Sequence, residues 1–226
     1  MIPPQSVVKV VVACGILLLT ACQAPAPVVR RLPEGSGLVE EDLEPPRGVD
    51  LIRAPKWSVG DRFVYQRGDM VETGFVVEQI DDQGIWVGEL NGVYRQWWGP
   101  GFTLQESVSA EGQTIRNVPG DARFSWPLWI GKRWSSRFVR DGGGRRVVVE
   151  ARYEVEAREF LQIGDKGFDC LRIVRRYRTF DERSSESSPE LTGLYWYSPS
   201  VGWLVRKIEA GVMEEWAGGA QSALRR

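Results

Sequence analysis

The side chains able to do covalent or acid–base chemistry in this 226-residue chain are few in kind. There is no histidine, which removes His-based triads, histidine metal ligands and the usual general base of neutral pH. The thiols are Cys14, Cys22 and Cys170. Cys170 lies between Phe168 and Leu171-Arg172-Ile173 with no histidine to ionise it, so it reads as a buried, inert thiol. What remains is carboxylate chemistry. A pair of carboxylates can hydrolyse a glycosidic bond, but no spacing in the sequence nominates a pair. The expectation is a protein that is not an enzyme and has no cofactor. Asp165 and Asp169 flank a glycine-containing turn but bring too few carboxylates for a calcium loop, so no metal site is expected. Asp141-Gly142-Gly143-Gly144 lacks the following helix that a phosphate loop needs.

Binding side chains are more abundant. The ten tryptophans all follow residue 50. Trp97, Trp98, Trp126, Trp129, Trp196 and Trp203 are candidates to line a groove for an acyl chain or glycan. The competing reading is that they fill the core of a curved sheet, where Trp buries much area and finds a partner for its N–H. Arg172, Arg176 and Arg178, with Arg175 between them, are candidates to bind lipid phosphates or anionic glycans. Against that stands cross-strand pairing with Glu150, Glu154 and Glu156 on the preceding strand.

Location is written at the start of the chain. Lys9 precedes the ten-residue apolar run Val10–Leu19, which is too short to span a bilayer as a stable helix and ends in Thr20-Ala21. Leu19-Thr20-Ala21-Cys22 resembles the lipobox of bacterial lipoprotein precursors. That resemblance implies cleavage before Cys22, a thioether-linked diacylglycerol on its sulfur and an amide-linked acyl chain such as palmitate on its nitrogen. Two or three chains hold where one does not, at ~0.8 kcal/mol per buried methylene. Gln23 in place of an inner-membrane retention aspartate implies the periplasmic face of the outer membrane if the cell is Gram-negative. With Cys14 removed and Cys22 acylated, Cys170 has no disulfide partner. Loss of residues 1–21 leaves 28 basic against 30 acidic side chains, which gives no basic face for nucleic acid.

The segments follow. Residues 1–21 are the signal peptide. Residues 22–50, rich in proline and without apolar period, read as a lipidated tether. Residues 51–217 form the folded domain and 218–226 a disordered tail. Within the domain there is no convincing amphipathic helix, only short β-rich runs separated by turn residues. Asn91-Gly92 suits a type I′ turn and sets Trp86 opposite Trp97 and Ile85 opposite Trp98. A four-residue loop at Asp141–Gly144 sets Phe138 opposite Val147 and Trp134 opposite Ala151. A β-bulge near Glu159-Phe160 would place Tyr153 beside Tyr177. Val59-Gly60-Asp61-Arg62-Phe63 echoes Ile130-Gly131-Lys132-Arg133-Trp134, read as one turn type used twice rather than as two related halves.

Gly60-Asp61-Arg62-Phe63-Val64-Tyr65, Gly167-Phe168-Asp169-Cys170 and Tyr195-Trp196-Tyr197-Ser198-Pro199-Ser200-Val201-Gly202 resemble segments of bacterial envelope proteins built on one curved antiparallel sheet. Such sheets are similar to the half-barrels of the lipoprotein carriers LolA and LolB. The resemblance implies an all-β fold, with at most minor helix: a single large curved antiparallel sheet of roughly eight to eleven strands, half-barrel-like. The chain departs from the carriers in having no helices to plug the concave face. The function expected is a non-enzymatic lipoprotein anchored to the membrane through Cys22 that binds a lipid, another amphipathic ligand or an envelope protein partner. The alternative is a structural or assembly scaffold that binds proteins only, without a ligand pocket.

Overall fold

The computed structural model of the chain describes residues 30–31, 38–40, 44–67, 70–181 and 187–218; the signal-peptide and Cys22 expectations lie outside them. Fourteen strands occur in these residues. They are β1 (Arg30–Arg31), β2 (Leu38–Glu40), β3 (Arg62–Arg67), β4 (Met70–Ile80), β5 (Ile85–Glu89), β6 (Tyr94–Gly99) and β7 (Thr103–Ser109). There follow β8 (Thr114–Asp121), β9 (Arg133–Gly142), β10 (Arg145–Ile163), β11 (Lys166–Asp181), β12 (Leu191–Ser198), β13 (Trp203–Glu209) and β14 (Val212–Gly218). A single 3-10 turn, Pro100–Phe102, is the one helical element among the described residues.

The all-β, curved antiparallel sheet is as expected, and its curvature carries through to closure. From β9 the order runs β10, β11, β12, β13, β14, β3, β4, β5, β6, β7, β8, and β8 pairs back onto β9. The result is a closed barrel of 12 strands, more strands than the sequence suggested. Closure removes the edge strands that an open sheet would leave exposed. β1 and β2 fall within the stretch read as tether, and β2 pairs with Trp134–Ser136 on the part of the β9 edge that β8 does not cover.

The Asn91-Gly92 hairpin has the expected register, with Ile85 opposite Trp98 and Trp86 opposite Trp97. The next hairpin differs. Its turn is the two residues Gly143-Gly144, both at positive φ (61° and 73°), so Val149 faces Phe138 and Tyr153 faces Trp134. The slip from the expected pairing is two residues, and a two-residue slip leaves every side chain on its expected face. The bulge on β10 exists but falls at Glu156, so Tyr153 pairs with Arg175 and Tyr177 with Ala151.

The sequence echo proves to be more than a reused turn. Gly60 donates to the Val77 carbonyl at 2.8 Å and Gly131 to the Val155 carbonyl at 2.7 Å. Val77 and Val155 donate back to Asp61 and Lys132 at 2.8 and 2.9 Å. Each turn opens six strands, β3–β8 and β9–β14. The second strand of each half carries a bulge one residue beyond its valine, at Glu78 and Glu156, in its pairing with the third strand. A second bulge lies opposite Trp97-Trp98 in one half and opposite Trp196-Tyr197 in the other. Bulges are placed by specific side chains rather than by chance, so the barrel consists of two related halves.

The core sits inside the barrel. Trp57, just ahead of β3, lies at its centre with ring centroids 4.7 Å from Phe102, 4.9 Å from Trp203 and 5.0 Å from Phe63. Tilted and edge-on contacts of this kind add ~0.5–1.5 kcal/mol each beyond area burial. Residues 122–132, which connect the halves, fold into the interior: Phe124 packs 5.2 Å from Trp203 and Trp126 5.2 Å from Tyr197.

Candidate functional site

Arg123 enters the barrel because β8 ends at Asp121 and the connector turns inward there. Asp121 is fully buried. Its Oδ2 accepts from Arg123 Nε at 3.1 Å and its Oδ1 from the Tyr153 hydroxyl at 3.1 Å. Arg175, on β11, is 4% exposed, pairs with Glu209 of β13 at 2.5 Å and stacks 4.2 Å from the Tyr177 ring. Glu209 also accepts from the Tyr195 hydroxyl at 3.0 Å. Burial alone would push both carboxyls up, but Arg123 and Arg175 outweigh it and hold Asp121 and Glu209 below the usual carboxylate range.

This charged group borders a cavity of about 360 Å³ lined by Arg123, Arg140, Arg175, Lys207, Glu209 and Glu214 among others. A second cavity of about 130 Å³ shares Arg123, Lys207 and Glu214 with it but is walled by Tyr65, Phe75, Trp98 and Trp203. The lumen therefore has an aromatic floor and a charged region meeting at Arg123. Lys207 pairs with Glu214 at 2.9 Å. Arg140 has a neutral partner, with its Nε donating to the Asn117 Oδ1 at 3.3 Å. Arg140 is exposed at the mouth of the cavity; partial desolvation there, with the repulsion of Arg123 and Arg175, lowers its affinity for its proton, in part offset by Asp121 and Glu209.

The tryptophans singled out in the sequence separate into groups. Trp98, Trp126 and Trp203 lie inside the barrel, and Trp98 and Trp203 form part of the lumen floor. Trp129 is buried in the connector beneath the Lys132 ammonium, 4.5 Å from its ring. Trp97 and Trp196 occupy matching register positions in the two halves, Trp97 half-buried and Trp196 buried. Trp97 stacks on Trp86 at 6.4 Å, and Trp196 donates to Glu159 at 2.7 Å.

Arg172, Arg176 and Arg178 are on the outer face, engaged with carboxylates. Arg172 contacts Glu159 at 2.5 Å and Glu156 at 3.3 Å, Arg176 contacts Glu156 at 3.0 Å, and Arg178 approaches Glu190 to 3.8 Å. The cross-strand alternative thus describes Arg172 and Arg176. Arg176 and Arg178 also border an outer cavity of about 370 Å³ with Arg137, Arg152, Glu150 and Glu190. Burial, with the nearby Asp169 charge, pushes the Cys170 thiol up to about 12, which leaves it inert at neutral pH. Among the described residues no group of three or more His, Cys, Asp or Glu could hold a metal ion.

Sequence reasoning missed Asp121, Arg123, Arg140 and Glu209. A signal for Arg175 was present: it is the odd-numbered member among even-numbered arginines, so strand alternation sends it to the face of Ile173 and Tyr177. Asp121 and Arg123 had none, since they act from an irregular connector.

No family model matches the chain, and no curated protein matches it. Among solved structures it is similar to the hypothetical lipoprotein YmcC of Escherichia coli K12 at 11% identity and TM-score 0.47, over 76% of this chain and 92% of that one. It is also similar to a provisionally assigned lipoprotein of Parabacteroides distasonis at 13% identity and TM-score 0.44, over 76% of this chain and 100% of that one.

Proposed function

We propose that this protein is a lipid-anchored lipoprotein of the bacterial envelope whose barrel lumen binds an amphipathic ligand without chemically changing it. The single observation behind the binding reading is the juxtaposition of an aromatic cavity and a charged one that share Arg123, Lys207 and Glu214. Ligand sites are concave, mostly apolar and furnished with a few convergent polar groups. The anchor rests on Leu19-Thr20-Ala21-Cys22 behind its apolar run, and the outer-membrane assignment on Gln23. Hydrolysis by a carboxylate pair is disfavoured because Asp121 and Glu209 are both held ionised, whereas an acid–base pair needs its two pKa values pushed apart.

Native mass spectrometry of the protein extracted from membranes in detergent tests both parts. The expected spectrum shows a chain beginning at acylated Cys22, with a co-purified amphiphile in stoichiometric amount. Thr73 borders the aromatic cavity, and Thr73→Trp fills that space from its rim, so a folded Thr73→Trp protein is expected to lose the amphiphile. An unmodified Cys22 would overturn the anchor. A folded, acylated wild-type protein that never carries an amphiphile would overturn the lumen reading and leave a protein-binding scaffold.

A further inference from the structure

The two halves provide an internal control on which residues the fold requires. Where a position serves packing, the halves agree in kind: Phe63 with Trp134, Phe75 with Tyr153, Val77 with Val155, Trp97 with Trp196, Leu104 with Leu204. They part company in the lumen. The same registers set Arg175 against Glu89 of the first half, Lys207 against Ser107, Glu209 against Ser109 and Glu214 against Ile115. At three of these four positions the first half carries no charge, and at the fourth it carries Glu89. Burying paired charges is often neutral or costly relative to apolar side chains of similar volume, so the concentration of Arg175, Lys207, Glu209 and Glu214 beside Asp121 and Arg123 calls for a reason other than folding.

Within that group the pairing is uneven. Arg123 has Asp121 at 3.1 Å, Arg175 has Glu209 at 2.5 Å and Lys207 has Glu214 at 2.9 Å. Arg140 borders the same cavity with only the neutral Asn117 oxygen as hydrogen-bond partner among the described residues. We propose that the charged end of the lumen is an anion subsite, in which Arg140, backed by Arg123 and Arg175, receives the carboxylate or phosphate group of the lumen ligand. This rests on the lumen reading above and adds the charge of the ligand and the residue that selects it. A carboxylate there completes a charge-assisted pair with the cation of this cavity that has no ion pair among the described residues, while the apolar part of the molecule lies towards Trp98 and Trp203.

The test titrates the full lipidated protein in detergent with three probes: octanoate, octanol and inorganic phosphate, with bound fractions read by native mass spectrometry. Octanoate is expected to bind one to one and about tenfold more weakly to Arg140→Gln, with octanol binding equal in both proteins. Arg140→Lys, which keeps the charge, is expected to retain most of the octanoate binding. A thermal melt checks that Arg140→Gln is folded, as expected for a side chain without an ion pair; should it unfold, Arg140→Lys against wild type, at low and high salt, carries the same test. If octanoate and octanol bind alike and the substitutions change neither, the lumen reading stands and the anion subsite is overturned. If phosphate binds, is lost in Arg140→Gln, and neither octyl compound binds, the subsite stands for a free anion and the apolar lumen falls. If no probe binds, both are overturned.

Discussion

Asp121 has no exposed surface, and its carboxylate is shared by Arg123, Tyr153 and, at 4.0 Å, Arg175. Removing it leaves Arg123 without its carboxylate and Arg175 with Glu209 alone. Asp121→Ala should therefore destabilise the protein by about 3–5 kcal/mol, measured by denaturant unfolding. The pH dependence follows from the same contacts. The folded-state pKa values of Asp121 and Glu209 lie below their unfolded ones, so their stabilisation is fully present above the ordinary carboxylate range. It is lost as pH falls through the depressed values, so thermal melts should hold from neutral pH to about pH 5 and drop steadily below it. In Asp121→Ala that slope should be shallower. Little of this cluster was legible in the sequence. Arg175 could be found from strand parity, but Asp121 and Arg123 belong to a segment with no period, and only the closed barrel brings it against β11 and β13.

At the scale of elements, turn chemistry and alternation carried the reading far. Asn91-Gly92 gives its hairpin the expected register, but only Gly92 takes positive φ (71°), so the turn is not the type I′ that the dipeptide suggested. The run of three glycines after Asp141 is ambiguous on that rule, and the tighter two-residue choice, Gly143-Gly144, shifted the pairing by two. Bulges were harder, because an extra residue is detectable only as a mismatch of faces, and several placements repair the same mismatch. One glycine escaped notice. Gly74, at φ 144° on β4, pairs with Val64, and a Cβ there would sit 2.0 Å from the Phe63 carbonyl oxygen. The obstacle is backbone rather than a side chain that can swing away. Gly74→Ala should cost about 2 kcal/mol or more, seen as a lowered midpoint in urea with an unchanged slope, and a neutral result would show that β3 and β4 can separate without penalty.

For the molecule as a whole, the sequence implied curvature but not closure. Closure depends on whether the last strand of the first half reaches the first strand of the second, a contact between distant segments that no local pattern encodes. It is made by only three pairs, Arg116 with Asp141, Asn117 with Arg140 and Val118 with Val139. β10 and β11, by contrast, are paired along sixteen positions. Hydrogen exchange should therefore proceed first at residues 116–118 and 139–141 and last at the centre of β10 and β11. Equal protection at both places would mean that the barrel opens only by global unfolding.

The pairing of β1 with β2, and of β2 with β9, also sets a length. A tether running from Cys22 to Asp50 could reach roughly 100 Å, but the chain joins the sheet at Arg30, eight residues after an acylated Cys22, which span at most ~28 Å. That is about the thickness of a bilayer's hydrocarbon core. Under the proposed anchoring at Cys22, so short a leash keeps β1 and the barrel edge it joins close to the leaflet that holds it. Encounter with that leaflet is then intramolecular, at an effective concentration no freely diffusing carrier would experience. Under that proposal the barrel would sample the membrane it stands on rather than ferry cargo across the space beyond it.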